Sequence, residues 1–262
     1  MGFERLNNTR DLGGIPADGG KTIKRGRLYR SGKLSRATAA DLKAIEKLGL
    51  TKIIDFRSEK ECGENPDPEV AGAVSINLPA VKDMTKGITR DSLSDKRAVE
   101  ALLYEGMAQE GFAERYMCGM YENFVADEFC RKQYARFLRE LTDADDNTVL
   151  WHCSTGKDRA GTAAVMVLHL LGVDRDTILA DYLKTNGNIR EHIDHLVEIY
   201  VPDDAPPRAE KAIRTLYSAN EAFLNAMFAK AEELYGSYDR FLTEGLGADE
   251  AYRERLKELY LE

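Results

Sequence analysis

Val149-Leu150-Trp151-His152-Cys153-Ser154-Thr155-Gly156-Lys157-Asp158-Arg159-Ala160-Gly161-Thr162 is the stretch whose reading decides the fold. Four residues with apolar character lead into a polar loop, and an apolar helical pattern follows to about Leu171. The stretch therefore reads as strand, loop and helix. Five residues separate Cys153 from Arg159, with Gly156 between them. A cysteine attacks as its thiolate, which a helix N-terminus and neighbouring cations stabilise. A loop of this kind turns successive backbone N–H groups toward one centre and makes a nest for a tetrahedral oxyanion. Arg159 adds a planar, permanently charged grip on two oxygens. Nucleophile and anion cradle then share one loop, with Cys153 expected at the floor of an amide-lined bowl, its sulfur open to solvent. The plain alternative is a buried, inert strand-end cysteine.

Working outward, the N-terminal portion is basic. Through Arg36, nine Lys or Arg face three Asp or Glu, whereas the whole chain of 262 residues carries a net charge of −8. An acidic protein can thus hold a positive cleft, while general nucleic-acid binding is excluded as a class. The alternative for that segment is a solvated charged face. Hydrophobic content of 43% supports a sizeable core, and no apolar run is long enough for an integral membrane segment. The four cysteines show neither zinc spacing nor a disulfide framework. A cytoplasmic, reducing compartment is the default expectation, with export by a route that leaves no signal peptide still open. No cofactor is expected. The oligomeric state is not written in the chain.

Asn8-Thr9-Arg10-Asp11-Leu12-Gly13-Gly14 is a turn-forming segment. Arg10 beside Asp11 is expected to tie this arm to the catalytic loop. Strands are expected within Thr22–Arg30, at Lys52–Arg57 and at Gly72–Leu78. A helix is expected over Ala37–Leu48, with Ser35 as its N-cap. Asp55 and Arg57, at the carboxyl end of a buried strand, are either substrate-contacting or a structural ion pair. The polar stretch from Pro79 to about Asp95, with Asp83 and Lys86, is long enough to be a functional flap.

Helices are expected at Tyr116–Val125 and Glu128–Leu141, then from Asp174 toward Leu183. Asn186-Gly187-Asn188 interrupts the pattern, and Ile189–Tyr200 resumes it. Pro207 opens a long helix to about Tyr235. Shorter helices follow at Ser237–Thr243 and Asp249–Leu259. His192 and His195 read as surface histidines rather than metal ligands. With every strand before or at Trp151, this is one α/β domain over residues 1–262. Its central sheet is mainly parallel and flanked by helices. Its part from about residue 174 is all-helical and packs on or over the site.

His152-Cys153-Ser154-Thr155-Gly156-Lys157-Asp158-Arg159 resembles the signature of bacterial family-3 tyrosine phosphatases. Asn8–Gly14, Tyr29-Arg30-Ser31-Gly32, Ile54-Asp55-Phe56-Arg57 and Tyr235–Leu242 resemble other blocks of that family in the same order. The resemblance implies a cysteine-phosphatase-like fold and hydrolysis of phosphate monoesters through a phosphocysteine intermediate, without a metal. Cys153 would be the nucleophile, and Arg159 would bind the phosphoryl group. Asp158 would be the general acid, with Asp55 and then Asp83 as the next choices. Ser154, Thr155, Gly156 and Lys157 would bind substrate, with Asp55 and Arg10 as further contacts. His152 would orient the loop. Substrates would be phosphorylated proteins, on tyrosine or on serine and threonine, or phosphoinositides. Ala160 stands where the family commonly has Ser or Thr, which bears on turnover rate. The competing readings are a catalytically weak phosphate-binding module of the same fold and a rhodanese-type sulfur transferase.

Overall fold

A computed structural model describes residues 2–81 and 109–262. The flap expected around Asp83 and Lys86 lies outside the described residues. Five strands form one sheet in the order β1-β2-β5-β3-β4. These are β1 (Arg10–Asp11), β2 (Leu28–Ser31), β3 (Lys52–Asp55), β4 (Val74–Asn77) and β5 (Val149–His152). Only β1 is antiparallel to its neighbour. The signature strand β5 lies at the centre, with Arg30 and Ile54 flanking Trp151, and Ser31 and Asp55 flanking His152. The four parallel strands therefore end at one edge, where open α/β sheets gather their ligands.

Alternation along β5 splits the core into two layers. Val149 and Trp151 enter the larger cluster, whereas Leu150 joins Tyr29, Ile45 and Ile53 on the other face. The helix α1 (Ala39–Glu46) covers that second face. It is capped by Thr38 rather than Ser35, because Thr38 and Asp41 make a reciprocal capping box. Ser35 falls in a short 3₁₀ turn instead. A second capping box, Ser58 with Glu61, starts the short helix α2 (Glu59–Glu64), which periodicity does not reveal.

The helices α3 (Phe112–Ala126), α4 (Glu128–Thr142) and α5 (Arg159–Leu170) pack on the larger face. Beyond α5 come α6 (Arg175–Asn188), α7 (Arg190–Tyr200), α8 (Pro207–Tyr217), α9 (Glu221–Tyr235) and α10 (Glu250–Tyr260). A short turn of π-helix precedes α10. Two expectations need correction. Asn186-Gly187-Asn188 does not interrupt α6, since Asn186 faces outward from it and holds Ala219 by both polar atoms. The long helix from Pro207 is broken at Ser218–Asn220, where the Asn220 side chain caps α9. The α9 helix lies along α3, so the C-terminal helices share the core of the sheet domain. No helix among the described residues is long and apolar enough to cross a membrane.

Candidate active site

The loop after β5 is held from outside by its carbonyls. Lys33 N–H donates to Ser154 O at 3.1 Å, Asn8 Nδ2 to Thr155 O at 3.2 Å and Arg30 Nη2 to Gly156 O at 2.8 Å. In a trans peptide the N–H points opposite to the C=O. Pinning three successive carbonyls outward therefore turns the amides of Thr155, Gly156 and Lys157 toward the inside of the loop. Gly156 has φ +71°, and a Cβ there would stand 2.5 Å from Ser31 O, so the loop rests directly on the end of β2. The α5 helix starts at Arg159 and brings its positive end to the same place.

Arg159 is nearly buried. Its guanidinium makes a two-point ion pair with Glu61, through Nη1 to Oε2 and through Nη2 to Oε1 at 2.9 Å. Nη2 also donates to Ser154 Oγ at 3.0 Å, and Ser154 Oγ donates in turn to Glu61 Oε1. Burial opposes the charge on Glu61, but Arg159 overrides it and holds the carboxyl well below the usual range. Cys153 has no exposed surface, so the expected solvent-open sulfur is not what the structure shows. The loop is closed around it, with Arg159 engaged by a protein carboxylate.

Asp158 is fully buried at the start of α5. Its Oδ1 accepts from Tyr121 Oη on α3 at 2.9 Å and lies 3.2 Å from Lys157 Nζ. Tyr121 Oη is also 2.7 Å from Tyr182 Oη on α6. Because Tyr121 gives its one hydrogen to Asp158, Tyr182 is the donor in that second bond. The chain Tyr182–Tyr121–Asp158 thus runs from two helices into the loop.

Three expected substrate contacts are placed elsewhere. Lys157 is fully buried, with Nζ donating to Leu216 O at 2.6 Å and Ser218 O at 3.1 Å. Those carbonyls belong to the end of α8, where helical acceptors are left over and a cation is welcome. Lys157 therefore ties the loop to the C-terminal helices. Arg10 does not pair with Asp11, whose carboxylate accepts from the amides of Gly13 and Gly26. It binds Asp181 on α6 instead, at 2.8 and 3.0 Å, and reaches Asn8. Arg30, fully buried, shares Asp181 at 2.9 Å. The arm is indeed tied to the loop, through Asn8 and through this Arg10–Asp181–Arg30 cluster.

Asp55 takes the ion-pair alternative. It grips Arg57 through Nε and Nη2, the latter at 2.7 Å, and Arg57 Nη2 reaches Asp67 at 2.5 Å. The buried His152 lies between these carboxylates, with Nε2 3.1 Å from Asp67 and Nδ1 3.4 Å from Cys153 O. Burial works against the Asp55 charge, yet His152 and Arg57 bring its pKa down to about 2. This pairing favours the ionised form of Asp55, the opposite of what a proton donor needs. Asp55, Asp67 and His152 stand close enough to hold a metal ion, but the Arg57 guanidinium already supplies the positive charge between the two carboxylates. His192 lies edge-on against Tyr217, and His195 faces Glu198 at 3.6 Å.

A cleft of about 230 Å³ opens beside Ser154, Thr155 and Glu61. Sequence reasoning missed Glu61, Arg30, Asp181, Tyr121 and Tyr182. Only Glu61 had a local signal, the Ser58-x-x-Glu61 capping box.

The whole chain, residues 1–262, matches the tyrosine phosphatase family. It is 33% identical over 253 residues to a Cupriavidus necator protein named, provisionally, a tyrosine-protein phosphatase, covering 96% of this chain and 85% of that protein. It is 28% identical over 272 residues to the triple specificity protein phosphatase PtpB of Mycobacterium tuberculosis, covering 97% and 96% of the two chains. With 24% identity over 251 residues it is also similar to a tyrosine-protein phosphatase of Nostoc commune, covering 93% and 74%. The strand, the pinned loop and the arginine-headed helix thus sit in a chain that belongs to the tyrosine phosphatase family and is a cysteine-dependent phosphatase.

Proposed function

We propose that residues 1–262 act as one catalytic domain that hydrolyses phosphotyrosine and related phosphate monoesters in a reducing compartment. Cys153 is the nucleophile, Arg159 and the inward amides of Thr155, Gly156 and Lys157 hold the phosphoryl group, and Asp158 handles the proton. The thiolate of Cys153 forms a bond to phosphorus while the ester P–O bond breaks, and Asp158 protonates the leaving oxygen. Water then attacks phosphorus, Asp158 takes its proton, and the S–P bond breaks to free phosphate and thiolate. Splitting the displacement in two is the benefit of covalent catalysis. The donors around the phosphoryl oxygens act where charge develops.

The observation that carries this reading is the set of three outward carbonyl bonds at Ser154, Thr155 and Gly156. They hold the cradle in shape before substrate arrives. Glu61 holds the Arg159 guanidinium and Ser154 Oγ beside the loop. The test is hydrolysis of p-nitrophenyl phosphate. Cys153→Ser is expected to abolish turnover and still bind inorganic phosphate; full activity in that variant rules the mechanism out. Asp158→Asn is expected to slow poor leaving groups most, and equal losses for good and poor ones remove it as the acid.

A further inference from the structure

Three cations of the basic N-terminal segment gather at one place. Arg5, Lys33 and Arg36 all line the cleft beside Ser154 and Thr155. Arg5 is not on a loose tail, because Asp41 of α1 accepts from the amides of Glu4 at 2.7 Å and Arg5 at 3.0 Å. Arg5 and Arg36 are exposed, and among the described residues no ion pair or hydrogen bond engages either guanidinium. Lys33 makes one long contact, to Asn65 Oδ1 at 3.3 Å. Burial and the nearby charges of Arg36 and Arg57 press its ammonium toward the neutral form. Of the acidic groups on the cleft, Glu61 is taken by Arg159, which leaves the exposed Glu64 against three cations. Facing them are Leu196 and Tyr200 of α7 and Tyr217 of α8.

We propose that this cleft is a second, cationic subsite, and that it takes an acidic side chain flanking the phosphorylated residue of a phosphotyrosyl peptide. The proposal rests on the reading of residues 153–159 as the phosphoryl site. The tyrosine ring lies along Leu196, Tyr200 and Tyr217, and the neighbouring carboxylate meets Arg36, Lys33 and Arg5. The ring faces of Tyr200 and Tyr217 and the side chain of Leu196 suit an aromatic ring, beside His192 on the same cleft. Partly exposed cations of this kind give selectivity and salt dependence more than raw affinity.

The experiment compares kcat/KM for two phosphotyrosyl peptides that differ only in Glu or Gln on either side of the phosphotyrosine. The acidic peptide is expected to be preferred about fivefold at low salt, in line with exposed charge pairs. The preference is expected to fall to about one in Arg36→Glu, to shrink in Arg5→Ala, and to fade in 0.5 M salt as screening sets in (at a Debye length of roughly 4 Å). Arg36 is exposed, so its charge can be reversed without disturbing the core. A ratio of one in the unaltered protein, or a ratio kept in Arg36→Glu, overturns the subsite. Vesicles containing phosphatidylinositol phosphate make a third arm: if Arg36→Glu slows only their hydrolysis and the peptides stay equal, the cations serve a lipid headgroup and the peptide subsite is overturned. Failure to hydrolyse p-nitrophenyl phosphate instead strikes the phosphatase reading itself, and the two failures are thereby told apart.

Discussion

Arg159 and Glu61 are joined by a two-point ion pair that is buried on both sides, and Ser154 bridges the two. Glu61 comes from α2, the helix that follows β3, and its carboxylate also accepts from Ser58 N at 3.0 Å. Arg159 is thus held by a helix start with no place in the signature stretch.

Removing that hold should be expensive twice over. Glu61→Ala leaves Arg159 buried without its partner carboxylate, and breaking a buried pair in this way costs about 3 kcal/mol or more. Glu61→Gln keeps the shape and one acceptor, so it is expected to unfold at a temperature nearer that of the unaltered protein. Both should lower kcat for p-nitrophenyl phosphate at least tenfold, since a guanidinium displaced by about 1 Å misses the phosphoryl oxygens. Thermal unfolding and steady-state rates measured side by side check this. An Ala variant with full kcat would show that Arg159 orients itself without help.

The same carboxylates set the acid limit of stability. Asp55 falls from 3.8 to about 2 on folding, so its contribution is present above pH 3.8 and is lost as pH drops through about 2. At 1.36 kcal/mol per pKa step this amounts to about 2 kcal/mol. Glu61 shifts in the same direction and adds to the loss. His152 shifts the other way: burial lowers its pKa, but Asp55 and Asp67 more than offset that and raise it above 6.5. Its contribution is therefore complete below pH 6.5 and is lost as pH rises through the raised value. The unfolding temperature is expected to be highest between about pH 4 and 6.5 and to fall on both sides. In His152→Gln the alkaline fall should disappear and the acid fall should shrink without vanishing, since Arg57 still holds Asp55 and Arg159 still holds Glu61; an alkaline fall that survives assigns it to another group.

Much of this was legible in the chain. The apolar run at Val149–Leu150 before a polar loop and an Ala- and Val-rich helix fixed β5, the loop and α5 together, and Pro207 opened α8 where a first-turn proline belongs. Local pattern stops at partners far apart in sequence. Only the resemblance assigns Lys157 to substrate, and the carbonyls that bury its ammonium come from the break between α8 and α9. Arg10 and Asp181 are 171 positions apart, and Tyr121 and Asp158 are 37 apart. No window of sequence brings such pairs together. Arg57 with Asp55 could be named because the two are neighbours on one strand end.

Tyr121 is the donor that holds Asp158 Oδ1, and Tyr182 is the donor that holds Tyr121. Tyr121→Phe keeps the ring among Phe124, Tyr182 and Phe223 while deleting both bonds. Loss of about 1–2 kcal/mol of stability is expected, as for buried hydrogen bonds with one charged partner. If Asp158 carries the catalytic proton, its carboxylate loses a donor and keeps its proton to higher pH, so the alkaline limb of the kcat/KM profile should move to higher pH. The groups that act on Asp158 or feel its charge include Lys157 on the loop, Tyr121 on α3, Tyr134 on α4 and Tyr182 on α6. The shift should therefore be absent when Tyr121→Phe is combined with Asp158→Asn. A uniform drop in rate with an unmoved profile would mean that Tyr121 is structural only.

Ala160 stands where the resemblance implies a Ser or Thr, whose hydroxyl would bear on the second chemical step. The residue is fully buried in the first turn of α5, and its carbonyl accepts from Trp151 Nε1 at 3.0 Å. Ser154 Oγ is committed to Glu61 and Arg159, and Thr162 Oγ1 is buried without a hydrogen-bond partner among the described residues. A hydroxyl donating to the departing thiolate is worth about 1.5 kcal/mol or more, roughly tenfold in rate. Release of Cys153 from phosphorus should then limit turnover in the natural protein, giving a burst of p-nitrophenol equal to one enzyme equivalent before the steady state. Ala160→Ser is expected to raise kcat several-fold and shrink that burst, with little change in kcat/KM, which reports the first step. The added oxygen enters a fully buried site, so a drop in unfolding temperature is expected if it finds no partner there. A natural protein without a burst, together with a serine variant of unchanged kcat, would place the slow step in the attack of Cys153 and leave Ala160 a packing residue.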